Sequence, residues 1–261
     1  MADKDSTTPR IYLIRHGQTS WSQLGRFTGV TDLPLLPVGE QKVRETASHV
    51  FGPGLLIEPS NVARFYVSPR QRAQRTLELL FDTAGREACL LPSLGEDGGE
   101  VGVGSGTVDV RVTEDVAEWG YGDYEGLLTH EIRELRKERG HDKERAWDIW
   151  RDGAEGEGSE MPGQVEERVE RVIEEIVELH ASYLKDAEEG KLGKGRRRDV
   201  VVVAHGHILR AFVKLWLGCS LDAKMELMLE PGGVCGLSYA HSKIDQRAVL
   251  VGMSFPGGTK E

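Results

Sequence analysis

Residues 11–22 read Ile-Tyr-Leu-Ile-Arg-His-Gly-Gln-Thr-Ser-Trp-Ser, and the reading of this stretch decides the fold. Ile11, Tyr12, Leu13 and Ile14 form an unbroken apolar run, the pattern of a short strand covered on both faces, as in parallel sheets. Arg15-His16-Gly17 then leaves the strand as a turn. His16 is therefore expected at a strand end, and in open α/β sheets ligands bind outside the carboxyl ends of the strands. Taken alone, Arg-His-Gly is equally well a turn carrying two surface polar residues.

The pattern returns late in the chain. Val200, Val201, Val202 and Val203 form a second buried strand, followed by Ala204-His205-Gly206-His207. Between the two exits lie Ser68-Pro69-Arg70-Gln71-Arg72-Ala73-Gln74-Arg75-Thr76 and Glu118-Trp119-Gly120-Tyr121-Gly122-Asp123-Tyr124-Glu125-Gly126. In this order the four motifs resemble the histidine phosphatase, or phosphoglycerate mutase-like, superfamily, over about residues 11–245. The resemblance implies a single α/β domain, a three-layer α/β/α sandwich around a mostly parallel sheet, with a lid drawn from about residues 114–160.

The chain's 261 residues suffice for one such domain. A formal net charge of −10 disfavours nucleic acid or an anionic membrane surface as partner, so any phosphate site must be local. Cys89, Cys219 and Cys235 show neither CxxC nor Cys/His ligand spacing, which points away from a disulfide framework or a structural zinc and toward a reducing compartment. Residues 1–10 are polar, so a cytoplasmic protein is expected. Self-association is left open.

Along the chain, Val43, Ala47 and Val50 have helical spacing, and a strand at residues 65–67 delivers Ser68. Ala73, Leu77 and Leu80 mark a helix with Arg72 in its first turn, where backbone N–H groups favour anions. The glycine-rich stretch 95–106 lacks phosphate-loop spacing and reads as a flexible surface insertion, about 95–110. Thr129 is a candidate cap for a helix containing Ile132 and Leu135. Trp147 and Trp150 stand three apart within 143–153, a pair that reads as core, with a substrate-stacking wall as the alternative. The longest helix begins near Pro162, with Val165, Val169, Val172, Ile176, Leu179 and Tyr183 on one face and Glu and Arg on the solvated one. Two closing strands come last, at 235–241 and 248–253.

Phosphoryl transfer needs a nucleophile, cations on the nonbridging oxygens and a proton for the departing oxygen. Arg15 and Arg72 carry fixed charge and planar donors suited to phosphate. By resemblance His16 is the nucleophile that becomes phosphohistidine, Glu118 the proton donor, and His205, with Gly206 beside it, a further contact to phosphate. Thr28 and Gly29 match a loop whose backbone touches substrate. Tyr121 and Arg210, and more remotely His241, are candidates to hold a second anionic group. Where many mutases have asparagine six residues after the nucleophile, this chain has Ser22, a shorter donor.

No metal-ligand set and no cofactor motif is found. The expected partner is a small phosphorylated metabolite, and within the superfamily residues 118–129 and 142–153 most resemble the fungal sedoheptulose-1,7-bisphosphatases. The expected activity is thus metal-independent hydrolysis of a sugar bisphosphate. A phosphoglycerate mutase would use the same phosphohistidine, and an inactive phosphate-binding module would be expected to have lost at least one of Arg15, His16, Arg72, Glu118 and His205.

Overall fold

The computed structural model describes residues 8–84, 99–103, 106–193 and 195–251. Its centre is the apolar run at 11–14. β1 (Ile11–Arg15) lies between β5 (Asp199–Ala204), to which it is parallel, and β6 (Val234–Tyr239), to which it is antiparallel. Beyond β5 come β2 (Val62–Val67), then β4 (Gly106–Val112) and β3 (Gly99–Val103), while β7 (Arg247–Leu250) closes the other edge. The sheet thus has seven strands in the order β3-β4-β2-β5-β1-β6-β7, with a parallel core β4-β2-β5-β1 and antiparallel margins.

Alternation of side chains along each strand divides the interior into two halves. Ile11, Leu13, Val200 and Val202 join one cluster, covered by α6 (Pro162–Glu188) and α7 (Gly206–Trp216). Tyr12, Ile14, Val201 and Val203 join the other, covered by α2 (Pro37–Val50) and α3 (Gln71–Thr83). Each aliphatic side chain buried in these layers contributes about 1.5–3 kcal/mol, which is why strands covered on both faces lose the polar alternation of an exposed sheet. Among the described residues no helix is long and apolar enough to cross a membrane.

Three segments differ from the sequence reading. Residues 99–103 and 106–112 form a hairpin rather than a loose insertion, and Val67 pairs with Val112 in the parallel register. The residue pattern Val101, Val103, then Val108, Val110, Val112 has the two-residue period of a strand, masked by intervening glycines. The rest of the glycine-rich stretch lies outside the described residues. In 143–153 only α5 (Ile149–Asp152) is helical; Trp147 is buried in the core, and Trp150 is only partly so. α4 (Thr129–Glu138) begins at Thr129, so Thr129 is not its cap: Glu131 instead accepts the Leu128 N–H.

The registers decide the site. Arg15 lies opposite Ala204, and Val67 opposite Val203 and Val112, so the chain leaves β1, β2, β4 and β5 along one edge of the sheet. His16, Ser68 and His205 all emerge directly from that edge.

Candidate active site

A cavity of about 140 Å³ opens at this edge, with Arg15, His16, Glu118, Tyr121, His207 and Arg210 in its wall. Two surface hollows of about 340 Å³ lie on the segment 129–152 and bring no comparable set together.

His16 is held by the backbone. Its N–H donates to the Ala204 carbonyl at 3.0 Å, tying the β1 exit to β5. Its Nδ1 is 2.7 Å from the Gly17 carbonyl, which can only accept, so Nδ1 carries the proton and Nε2 keeps its lone pair. Burial first, then the charges of Arg72 and Arg15, push the His16 pKa down to about 3. The ring is therefore neutral and lies in the cavity wall, with the state a nucleophilic imidazole requires.

The cationic side of the cavity comes from Arg15 and Arg210. Arg15 commits one donor to the Leu229 carbonyl, at 2.8 Å, and its buried Nε has no partner among the described residues. A Cβ on residue 206 would meet the Arg15 guanidinium at 3.3–3.5 Å, so Gly206 leaves room for that group beside the start of α7. Arg210 is tethered through Nε to the Gly206 carbonyl at 2.9 Å and lies over the Trp150 ring at 5.6 Å.

Glu118 is anchored by backbone N–H groups. Its carboxylate receives N–H bonds from Trp119, His207 and Ile208, each at 3.0 Å, the last two from the first turn of α7. Behind it stands Arg168 of α6. This arginine, buried although the sequence pattern assigns the helix's charged residues to solvent, donates to the carbonyls of Glu114, Asp115, Ala117 and Glu118 and pairs with Glu160 at 2.8 Å. One guanidinium thereby shapes the whole approach to Glu118. The periodicity of α6 contains a signal for it, since Arg168 adjoins Val165, Val169 and Val172 on the buried stripe.

Arg72 and His205 are brought to the site but not into the cavity. Arg72 is fully buried and donates to the carbonyls of Thr28, Gly29 and Thr31 and, through Nε at 3.1 Å, to His205 Nδ1. Because an arginine can only donate, His205 Nδ1 holds a lone pair. Burial, with the Arg72 charge next, keeps the ring neutral, so its proton sits on Nε2 and is given to Ser68 Oγ at 2.6 Å. Both nitrogens are committed. The expected free donors of Arg72 and His205 are, in this structure, internal bonds of a closed wall.

The remaining expected contacts divide. Thr28 lines the cavity, its hydroxyl on the Arg26 carbonyl. Gly29 backs the wall: its N–H donates to Glu125, its carbonyl accepts from Arg72, and a Cβ there would overlap the Trp119 carbonyl. Ser22 reaches the cavity, but its hydroxyl accepts the Thr19 N–H and donates to the Thr19 carbonyl, capping α1 (Ser20–Leu24) instead of presenting a free donor. His241 is a correction. β6 runs antiparallel to β1, so the end of β6 lies beyond Ile11, at the opposite edge of the sheet, where exposed His241 neighbours a Thr8–Ser242 contact. His207 and Arg26, in the wall but absent from the expected set, stand directly beside neighbouring motifs in the sequence.

Comparison with known proteins places the chain in a family. The model of the histidine phosphatase superfamily (branch 1) matches residues 11–104 and 99–250. Sedoheptulose 1,7-bisphosphatase of Saccharomyces cerevisiae is 36% identical over 98% of this chain and 97% of its own length. A 2,3-bisphosphoglycerate-dependent phosphoglycerate mutase of Parvibaculum lavamentivorans is 28% identical over 78% of this chain and 77% of its own. The solved structure of an open reading frame product from Mycobacterium tuberculosis superposes with a TM-score of 0.62, at 27% identity over 93% of this chain and 96% of that one.

Proposed function

The chain belongs to the histidine phosphatase superfamily and is a phosphoric monoester hydrolase, and on that premise we propose that it cleaves one end of a sugar bisphosphate, such as sedoheptulose-1,7-bisphosphate, through a phosphohistidine on His16. The observation that carries this reading is the His16 ring: neutral, its proton committed to the Gly17 carbonyl, its other nitrogen uncommitted beside Arg15.

In the first step His16 Nε2 attacks phosphorus and the bond to the sugar oxygen breaks. Glu118, protonated for this half of the cycle, gives its proton to the departing alkoxide. Arg15 balances charge on the nonbridging oxygens, and Arg72 adds field from behind. In the second step Glu118, now a carboxylate, takes a proton from the attacking water; the P–N bond breaks, and inorganic phosphate leaves with His16 neutral again. Arg210, across the cavity, is suited to the second phosphate. The 36% identity to a sedoheptulose 1,7-bisphosphatase over nearly the full length supports the sugar bisphosphate over a phosphoglycerate.

Phosphate release should be measured from sedoheptulose-1,7-bisphosphate, fructose-1,6-bisphosphate and 3-phosphoglycerate, beside mutase turnover with 2,3-bisphosphoglycerate present. Preference for a bisphosphate is expected. Dominant mutase turnover, or equal rates on bisphosphates and monophosphates, overturns the reading.

A further inference from the structure

His207 is the third histidine of the two exits and has no role in the phosphoryl chemistry of His16 and Glu118. Its Nδ1 is 2.7 Å from the Tyr121 hydroxyl, both residues line the cavity, and Nε2 has no protein partner among the described residues. The imidazole is stacked on Phe27 at 5.4 Å and faces Trp150 at 5.5 Å, so its plane is set by aromatic rings on two sides. Its backbone N–H meanwhile holds Glu118. A ring held this firmly in the cavity wall, with one nitrogen that has no protein partner among the described residues, offers a contact to something bound there.

We propose that the His207–Tyr121 pair reads a hydroxyl of the substrate's carbon chain, and so selects polyol phosphates over phosphorylated carboxylic acids. The inference rests on the phosphatase reading only for the location of the reacting phosphate. The ring is neutral: burial, with the charges of Arg210, Arg15 and Lys214 around it, holds it well below its ordinary pKa, and burial raises that of Tyr121. The pair therefore holds its protons in one of two arrangements. If the Tyr121 hydroxyl donates to Nδ1, Nε2–H is a donor; if Nδ1–H donates to the phenol oxygen, Nε2 is an acceptor. A hydroxyl, which both donates and accepts, satisfies either arrangement. A carboxylate only accepts, so it satisfies one arrangement. Cations already flank the cavity for phosphate. What a phosphoglycerate and a sugar phosphate do not share is the carboxylate of the one and the hydroxyl-bearing chain of the other, and the His207–Tyr121 pair is neutral and matched to a hydroxyl.

The test uses binding, so that it does not depend on turnover. In the His16→Ala protein, calorimetric Kd values for sedoheptulose-1,7-bisphosphate and 3-phosphoglycerate should favour the sugar. Adding His207→Phe, which keeps an aromatic ring on Phe27 but removes the nitrogen, should reduce that preference about tenfold, the worth of one buried hydrogen bond. Adding Tyr121→Phe, which leaves Nε2 in place but frees its tautomer, should reduce it less, about threefold. Circular dichroism checks the fold of each. Absence of a sugar preference in the parent, or a preference unchanged by both substitutions, overturns the assignment. Failure of the phosphatase reading shows separately, as the absence of phosphate release from the unsubstituted protein.

Discussion

The two strand–His–Gly exits carry the same residues and do opposite things. At the β1 exit the His16 ring gives its proton to its own neighbour, the Gly17 carbonyl, and keeps Nε2 uncommitted at the cavity. At the β5 exit the His205 ring is clamped between Arg72 and Ser68, and neither nitrogen is free. The difference lies in the path of the chain beyond each histidine. After Gly17 the backbone passes into a loop, whereas after His205 it becomes α7, whose first N–H groups hold Glu118. On the proposed reading one exit supplies the nucleophile, while the other supplies the wall and holds Glu118. A repeated motif in a sequence identifies two places, not one job done twice.

The largest test of that asymmetry is His16→Ala. It should cost at least about 10³-fold in kcat and abolish the phosphoenzyme trapped by rapid quench, because it removes the proposed attacking nitrogen. Residual turnover within tenfold of the parent would return the two exits to equal standing.

Glu118→Gln comes next. It should slow release from a sugar phosphate by about 10²-fold or more and spare an aryl phosphate, whose leaving group needs no proton. Equal losses on both would make Glu118 a strut of the α7 terminus.

Ser68→Ala removes the acceptor of the His205 proton and should lower kcat about fivefold to tenfold, the cost of one unmatched buried hydrogen bond, with most of it restored in Ser68→Thr. An unaffected rate would show that the clamp on His205 does not matter to the chemistry.

The smallest effect is on protonation. With its pKa pushed to about 3, His16 should show ring-carbon resonances that do not move between about pH 5 and 8, where an unperturbed histidine titrates. The sign is that of a depressed base: His16 is neutral throughout this window, and its protonation becomes appreciable only as the pH falls toward 3. A midpoint near 6.5 would mean that the site is wetter than its burial implies.

Much of this site is legible in the residues alone. Apolar runs at 11–14 and 200–203 specify buried parallel strands, and a turn after each must emerge at the carboxyl edge, so His16 and His205 become neighbours once the strands pair. The helical spacing of Ala73, Leu77 and Leu80 likewise puts Arg72 at the start of α3. Illegible are the facts that depend on partners distant in sequence. That Arg72 gives its donors to the 28–31 loop reflects how closely this loop packs, with Gly29 against Trp119. The capping use of Ser22 reflects α1, a helix of 5 residues. His241 is misplaced by the sequence reading because the direction of β6 is a property of pairing, not of its residues.

The sequence by itself therefore determined the central strands β1 and β5, the family and the kinds of side chain available for the chemistry, since periodicity and residue type are local properties that survive in any correct fold. Tertiary structure alone decided which nitrogens and guanidinium donors remain uncommitted. A hydrogen-bonding group has a small, fixed capacity, and whether it is available to a substrate depends on every acceptor that folding brings within about 3 Å of it. His16 and His205 differ in that respect alone: one ring met a single carbonyl, and the other met an arginine and a serine.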